Sequence, residues 1–207
     1  IIQGSAMQGA SRGFYPKELT GSLRFNDDDS AFLSWTAKGG VSERRTFTIS
    51  CWVKKAKNGS QIEIFGTAAE GDNLYFTSSD QLGFFQNGSA DAYIISNAKF
   101  RDPSAWYHIV CAVDTTQALA SNRVKLYVNG EQITSFSSET YPSQNNASFI
   151  NNTVTNFLGK GHGASEFDGY IAEFFMVAGT QHDADDFGET KNGVWVPKDI
   201  TASDFTR

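Results

Sequence analysis

Three acids in the segment Glu166-Phe167-Asp168-Gly169-Tyr170-Ile171-Ala172-Glu173 offer the first chemistry to test. Along a strand, side chains two residues apart share a face, so Glu166 and Asp168 would point together. A retaining glycosidase needs two carboxyls about 5 Å apart, one as nucleophile and one as acid/base. Tyr170 holds the next position on that face. Glu173 lies at an odd separation from Glu166, on the opposite face unless a bulge intervenes. The segment does not offer the required pair, and the expectation is a protein that is not an enzyme.

Other catalytic and metal patterns fail on spacing. The three histidines, His108, His162 and His182, are scattered, with no H-x-x-x-H and no Cys-x-x-Cys beside them, which argues against zinc. No G-x-S-x-G elbow, P-loop or G-x-G-x-x-G occurs. His108 alternates with Trp106 and Val110 on one strand, so it reads as a structural histidine of a sheet. Cys51 and Cys111 fall in the strand-like runs SCWV and VCAV and read as small buried hydrophobes. A disulfide between them stays open, because sequence does not fix their distance.

The elements that must position these residues are strands. Trp106 to Val113 and Val124 to Val128 are rich in aromatic and β-branched residues, which suit a pleated, half-buried surface. Asn129-Gly130 follows, a pair able to supply two positive-φ residues for a hairpin turn, and Glu131 to Phe136 is expected to return as its second strand. Further strands are expected at Ser22 to Phe25, Ala31 to Trp35, Arg45 to Val53, Gln61 to Gly66, Leu74 to Thr77, Gln81 to Gln86, Ala92 to Ser96, Asn156 to Gly159 and Phe167 to Ala178. Turn formers such as Lys57-Asn58-Gly59-Ser60 and Asn87-Gly88-Ser89 separate them. Four Asn-x-Ser/Thr triplets, at Asn58, Asn87, Asn146 and Asn151, read as turn residues in a chain this rich in Asn and Ser. Helix is nearly absent, with HDADDFGE the one fair candidate: Asp183, Asp185 and Asp186 would sit at its positive end.

Composition limits the partners. Net charge is −6 and the basic residues are dispersed, so a nucleic-acid partner is set aside. No run approaches the roughly 18 apolar residues that would span a bilayer as a helix, so no membrane partner is expected. Seventeen phenylalanines among 207 residues supply one large core. The N-terminal residues 1–20 mix Gly, Ser and isolated apolar anchors, including Ile1, Ile2, Met7, Phe14 and Tyr15, and read as an extended arm. The expected organisation is this arm, a domain over 21–190 and a C-terminal extension over 191–207, with the chain open to being part of a longer protein.

FTISCWVKK (Phe47 to Lys55), WYHIVCAVD (Trp106 to Asp114), VKLYVNGEQI (Val124 to Ile133) and FDGYIAEFFM (Phe167 to Met176) follow one another in an order that resembles the laminin G-like branch of the concanavalin A-like jelly rolls. The likeness spans about Ser22 to Gly188. Phrases such as SLRFNDDDSAFLSWT, FRDPSAWYHIV and DFGET…GVWVPK are similar to laminin G-like domains in structural proteins of tailed phages. One departure is Ala172, which stands where many members carry an Asp after Ile171. The resemblance implies an all-β jelly-roll sandwich of two antiparallel sheets, with at most one short helix. It implies a virion surface protein, a fibre, spike or decoration subunit, whose partners would be other virion proteins, copies of itself and cell-surface polysaccharide. A ligand-free capsid-decorating role and a secreted lectin or glycosidase module remain as alternatives.

Retaining hydrolases of this fold share an E-x-D-x-E strand, which this chain breaks at Tyr170. Many laminin G-like domains hold Ca²⁺ with loop carboxylates, and the oxygen-rich candidates here are Asp27, Asp28, Asp29 and Asp72. An acidic turn can equally be a solvated turn. Sugar recognition in this fold sets an aromatic face against the ring with amide groups reading its hydroxyls. Tyr75, Asn73, Phe85, Asn87 and Tyr93 are the candidates, while most aromatics, with Trp35 and Phe84 among the alternatives, must fill the core.

Overall fold

The computed structural model describes residues 17, 19, 21–37, 39–68, 71–87, 91–163 and 165–205. The extended arm expected over 1–20 lies almost wholly outside them. Fifteen strands form two large antiparallel sheets and one small hairpin. The six-stranded sheet has the order β1 (Leu23–Phe25), β13 (Gly169–Ala178), β3 (Thr46–Lys55), β8 (Tyr107–Asp114), β9 (Val124–Val128), β10 (Glu131–Gln132). The seven-stranded sheet has the order β11 (Phe136–Thr140), β7 (Ala92–Lys99), β6 (Gln81–Gln86), β5 (Asn73–Phe76), β4 (Ile62–Thr67), β12 (Thr155–Leu158), β2 (Leu33–Thr36). The sheets pack face to face as a jelly-roll sandwich, as the laminin G-like resemblance implies.

The core follows from alternation. Phe47, Ile49, Cys51 and Val53 of β3 face Leu74 and Phe76 of β5 and Leu82 and Phe84 of β6 within one buried cluster. Removing that apolar surface from water is the main force holding the sheets together. Cys51 and Cys111 lie in this cluster as free thiols, two residues out of register on paired strands: Cys51 stands opposite Ile109 and Cys111 opposite Ile49. Burial pushes the Cys51 thiol up to about 12, so neither reactivity nor exchange is favoured there. At the end of β3 the fully buried Lys55 Nζ is held by Asp80 Oδ1 at 2.7 Å and the Phe100 carbonyl at 2.9 Å.

β8 is buried along almost its whole length, on both faces. Its sequence YHIVCAV is a nearly continuous apolar run rather than an alternating one, which requires cover on both sides. The second cover comes from residues 181–205, where β14 (Gly188–Lys191) and β15 (Val194–Pro197) pair around Asn192-Gly193. Phe187, Trp195, Ile200 and Phe205 pack with Val110, Ala112, Tyr127, Phe175 and Val177 in a second apolar cluster on the outer face of the six-stranded sheet.

Three expectations change. Glu131 to Phe136 does not return as one strand: only Glu131–Gln132 pairs with β9, and the chain then crosses to the other sheet as β11. HDADDFGE forms only a single 3-10 turn, Ala184–Asp186, with Asp183 just before it and Asp185 and Asp186 within it, too short for an α-helix. A five-residue helix, α1 (Val41–Arg45), precedes β3 where none is expected. The triplet residues Asn87 and Asn151 adopt positive φ, 52° and 65°, as turn residues do.

Candidate functional site

The outer face of the seven-stranded sheet has no apolar cluster of this kind among the described residues, and register determines which side chains meet on it. One cross-strand row runs Ser34, Phe157, Gly66, Asn73, Phe85, Tyr93, Thr140. A second row, one step along the strands, runs Glu63, Tyr75, Gly83, Ile95, Ser138. Four of the five residues expected to recognise sugar, Asn73, Tyr75, Phe85 and Tyr93, therefore stand together at the middle of one face.

Their roles differ by depth. Tyr75 is 4% exposed and its ring meets that of Phe85 edge to face at 5.2 Å. The ring lies over Gly83, where an added Cβ would stand 2.7 Å from it, so the glycine makes the space that Tyr75 fills. Tyr75 is hydrogen-bonded to Tyr93, and burial is the main reason its phenol is held well above the usual tyrosine range. Tyr93 is 37% exposed and presents its ring to solvent. Asn73 is buried, at 2% exposure, and supports the face from below. Asn87 stands at the end of β6, and its backbone amide donates to Asp72 Oδ1 at 2.8 Å. Asn73 and Tyr75 are thus buried in this structure, beside a crossing loop, while Tyr93 is the exposed member of the group.

That loop, residues 159–163, closes over one side of the face. It passes so near that an added Cβ on Gly161 would stand 2.4 Å from Asn73 Nδ2 and 2.9 Å from Glu63 Cδ. His162 is exposed on it, with Nδ1 bonded to the Ala68 carbonyl at 2.9 Å. Beneath lies Glu63, 1% exposed; its Oε1 accepts from Gln61 Nε2 at 2.7 Å, and Asn73 adds a further bond. Oε2 has no partner among the described residues. Burial pushes this carboxyl up to about 7. Glu63 and His162 escape a reading of the sequence alone. Glu63 interrupts the apolar IEIF run of β4, a visible signal, but nothing in the chain order brings residue 162 beside residue 63.

The proposed calcium ligands do not gather. Asp72 is fully buried at the Thr67 end of β4, and its carboxylate accepts from the amides of Asn87, Phe149 (2.6 Å) and Ile150 (3.3 Å) and from Ser148 Oγ (2.5 Å). Those four donors take its lone pairs and tie the 148–150 segment to the β4–β5 turn. Asp27 pairs with Lys57, near where β4 begins, and Asp29 Oδ2 accepts from Asn26 Nδ2 at 2.6 Å. The acids are spread over both ends of a strand, so this donor set does not fit one Ca²⁺. Among the described residues no group of three or more His, Cys, Asp or Glu is placed to hold a metal.

The acids of the 166–173 segment are separated in the same way. Glu166 pairs with Lys160 at 3.2 Å, Asp168 with Arg24 at 2.7 Å and Glu173 with Lys17 at 2.8 Å. A bulge does intervene, between Ala172 and Phe175, and Glu173 sits in it at φ +48°. Each carboxylate is neutralised by its own cation. His108 is equally occupied. It stacks on Trp52 at 4.9 Å, its Nδ1 accepts from Trp195 Nε1 at 3.0 Å, and Ser50 Oγ lies 2.9 Å from Nε2. It is a structural histidine under the C-terminal hairpin.

With the fold and this face defined, the relatives can be placed. A family model described as the concanavalin A-like lectin/glucanases superfamily, of the laminin G type, matches residues 26–180. The chain belongs to that superfamily. No curated protein matches it. Among solved structures, it is similar to domain 4 of AbnA, a GH43 extracellular arabinanase from Geobacillus stearothermophilus, in complex with arabinotriose. The TM-score is 0.54 at 15% identity, over 78% of this chain and 72% of that one. It is similar to the CBM40 of Ruminococcus gnavus IT-sialidase bound to α2,3-sialyllactose, with a TM-score of 0.52 at 19% identity over 80% and 92%. At these identities the likeness is one of fold.

Proposed function

We propose that this superfamily member is a non-catalytic carbohydrate-binding domain whose ligand lies on the outer face of the seven-stranded sheet. The observation that carries the reading is the exposed Tyr93 ring, backed by Tyr75 and Phe85 on the outer face of the seven-stranded sheet. An aromatic plane beside hydrogen-bonding groups suits a sugar, whose ring has an apolar face and a polar rim. The arabinotriose- and sialyllactose-bound neighbours share this architecture, which supports the choice of ligand class. The pairing of Glu166, Asp168 and Glu173 with separate cations supports a binding rather than a hydrolytic role.

A setting on a tailed-phage virion, as an adhesion subunit, rests on the sequence phrases quoted above and is part of the proposal. Several copies on a particle would raise a weak single-site affinity through avidity. A glycan array probed with the full chain and with Tyr93→Ala tests the reading. Binding by the wild type that is lost in the variant is the expected result. No binding to any glycan would shift the role to ligand-free decoration.

A further inference from the structure

The same face also bears on the charge of the ligand, an inference that rests on the glycan-binding reading. Neither cross-strand row contains a lysine or an arginine. Among the described residues two lysines and His162 border it; neither lysine is placed to receive an anion at its centre, and His162 Nδ1 is taken by the Ala68 carbonyl. Lys160 Nζ is taken by Glu166 and lies 4.7 Å over the Phe32 ring. Lys99 stands at the end of β7, opposite Gln81 and four residues beyond Ile95. Under the centre sits the Glu63 carboxyl, with Oε1 accepting from Gln61, a further bond from Asn73, and Oε2 without a partner among the described residues. The chain as a whole is acidic, at −6.

A carboxylated sugar needs a cation or several aimed N–H donors to replace the water it gives up, and arginine is the residue that most often supplies them. Here it would meet tyrosine hydroxyls, an aromatic ring and a buried carboxyl. From this arrangement we infer that the domain binds an uncharged glycan and discriminates against acidic ones, the opposite choice from its sialyllactose-bound structural neighbour. Glu63 is the residue that enforces the choice. Because its carboxyl titrates near 7, it is ionised at pH 8 and repels an anion through a medium of low effective dielectric.

The test is a titration of the full chain at pH 8 against pairs matched in size that differ in charge, such as sialyllactose and its carboxamide, and galacturonic acid oligomers and their C6 carboxamides. Each pair is run at about 20 mM and about 500 mM salt. The expected result is that the neutral member of the bound pair is preferred by about tenfold at low salt. The gap narrows at high salt, where charges are screened beyond about 4 Å, and it narrows also in Glu63→Gln. Equal or tighter binding of the acidic member would overturn the inference while leaving the glycan-binding reading intact. Failure of both members of every pair would overturn both. A thermal melt of Glu63→Gln establishes that the variant is folded, and the wild-type pairs decide the question without it.

Discussion

The two sheets of this sandwich present outer faces that the chain treats in opposite ways. On the six-stranded sheet, β8 is apolar on both sides, and the 181–205 segment returns to cover Val110, Ala112 and Val177 with Phe187, Trp195 and Phe205. On the seven-stranded sheet no second apolar cluster of this kind forms among the described residues, and Phe85 and the exposed Tyr93 stand beside the buried Tyr75 and Ile95. The difference lies in how each strand mixes its residues. A face lined by valine and alanine gains only by exclusion of water, whereas a face with an exposed tyrosine over buried polar groups can meet water and still hold a ligand. The covered face serves stability, and the other carries the proposed recognition surface.

Titration should separate the faces most strongly. His108, under the hairpin, is kept neutral by burial down to about pH 3, against 6.5 for a free imidazole. Above pH 6.5 neither folded nor unfolded chain holds that proton, so the full stability is present. As pH falls from 6.5 towards 3 the unfolded chain takes up a proton that the folded chain refuses, and stability drops by something on the order of 4 kcal/mol. The Trp195 indole already donates to Nδ1, so protonation must break that bond. Urea midpoints across this range should fall, accompanied by a change in Trp195 fluorescence, and His108→Gln should flatten the slope. A wild-type profile that is level from pH 6.5 to 4 would show that the hairpin does not seal the histidine. Next in size is Phe187→Ala. This ring is 2% exposed and stacks on Phe205 at 5.0 Å, so its removal should cost about 3 kcal/mol and open the hairpin to proteolysis. It should leave glycan binding within about twofold, because the other face is untouched.

The sequence carries the sandwich well and the site unevenly, for one physical reason. Strand alternation and turn chemistry are local, so Gln81–Gln86 and Val124–Val128 are placed to the residue. Pairing across a sheet is not local. Nothing in residues 131–140 says that the chain abandons β9 after Gln132 and joins the opposite sheet as β11. The β14–β15 hairpin does have its signal, Asn192-Gly193 ahead of Val194-Trp195-Val196, in the same pattern that marks Asn129-Gly130. Tyr75, Phe85 and Tyr93 could be singled out because they are aromatic residues in short strands next to asparagines. Their depth depends on the 159–163 loop, whose glycines allow an approach that no spacing rule contains. Asp72 misleads for a related reason: an acid in a turn looks solvated until the 148–150 amides are seen to close on it.

On the seven-stranded sheet the pH dependence should run the other way. Below pH 4.5 Glu63 is protonated in both folded and unfolded chains; between 4.5 and about 7 only the folded chain keeps the proton. Stability is therefore greatest at the acid end of this window and is lost as pH rises through it, by something on the order of 2 kcal/mol. Glu63→Gln should remove that decline and leave the acid slope of His108 unchanged, since the two groups lie on opposite sides of the core. The smallest effect on stability belongs to Tyr93→Ala, within about 0.5 kcal/mol, because the ring is partly in water already. Its effect on glycan affinity should nevertheless be a loss of about tenfold or more, the scale of one aromatic contact. A variant that melts early yet binds normally would reverse that assignment, making Tyr93 a structural ring that holds Tyr75 in place and moving the recognition surface towards His162 and the 159–163 loop.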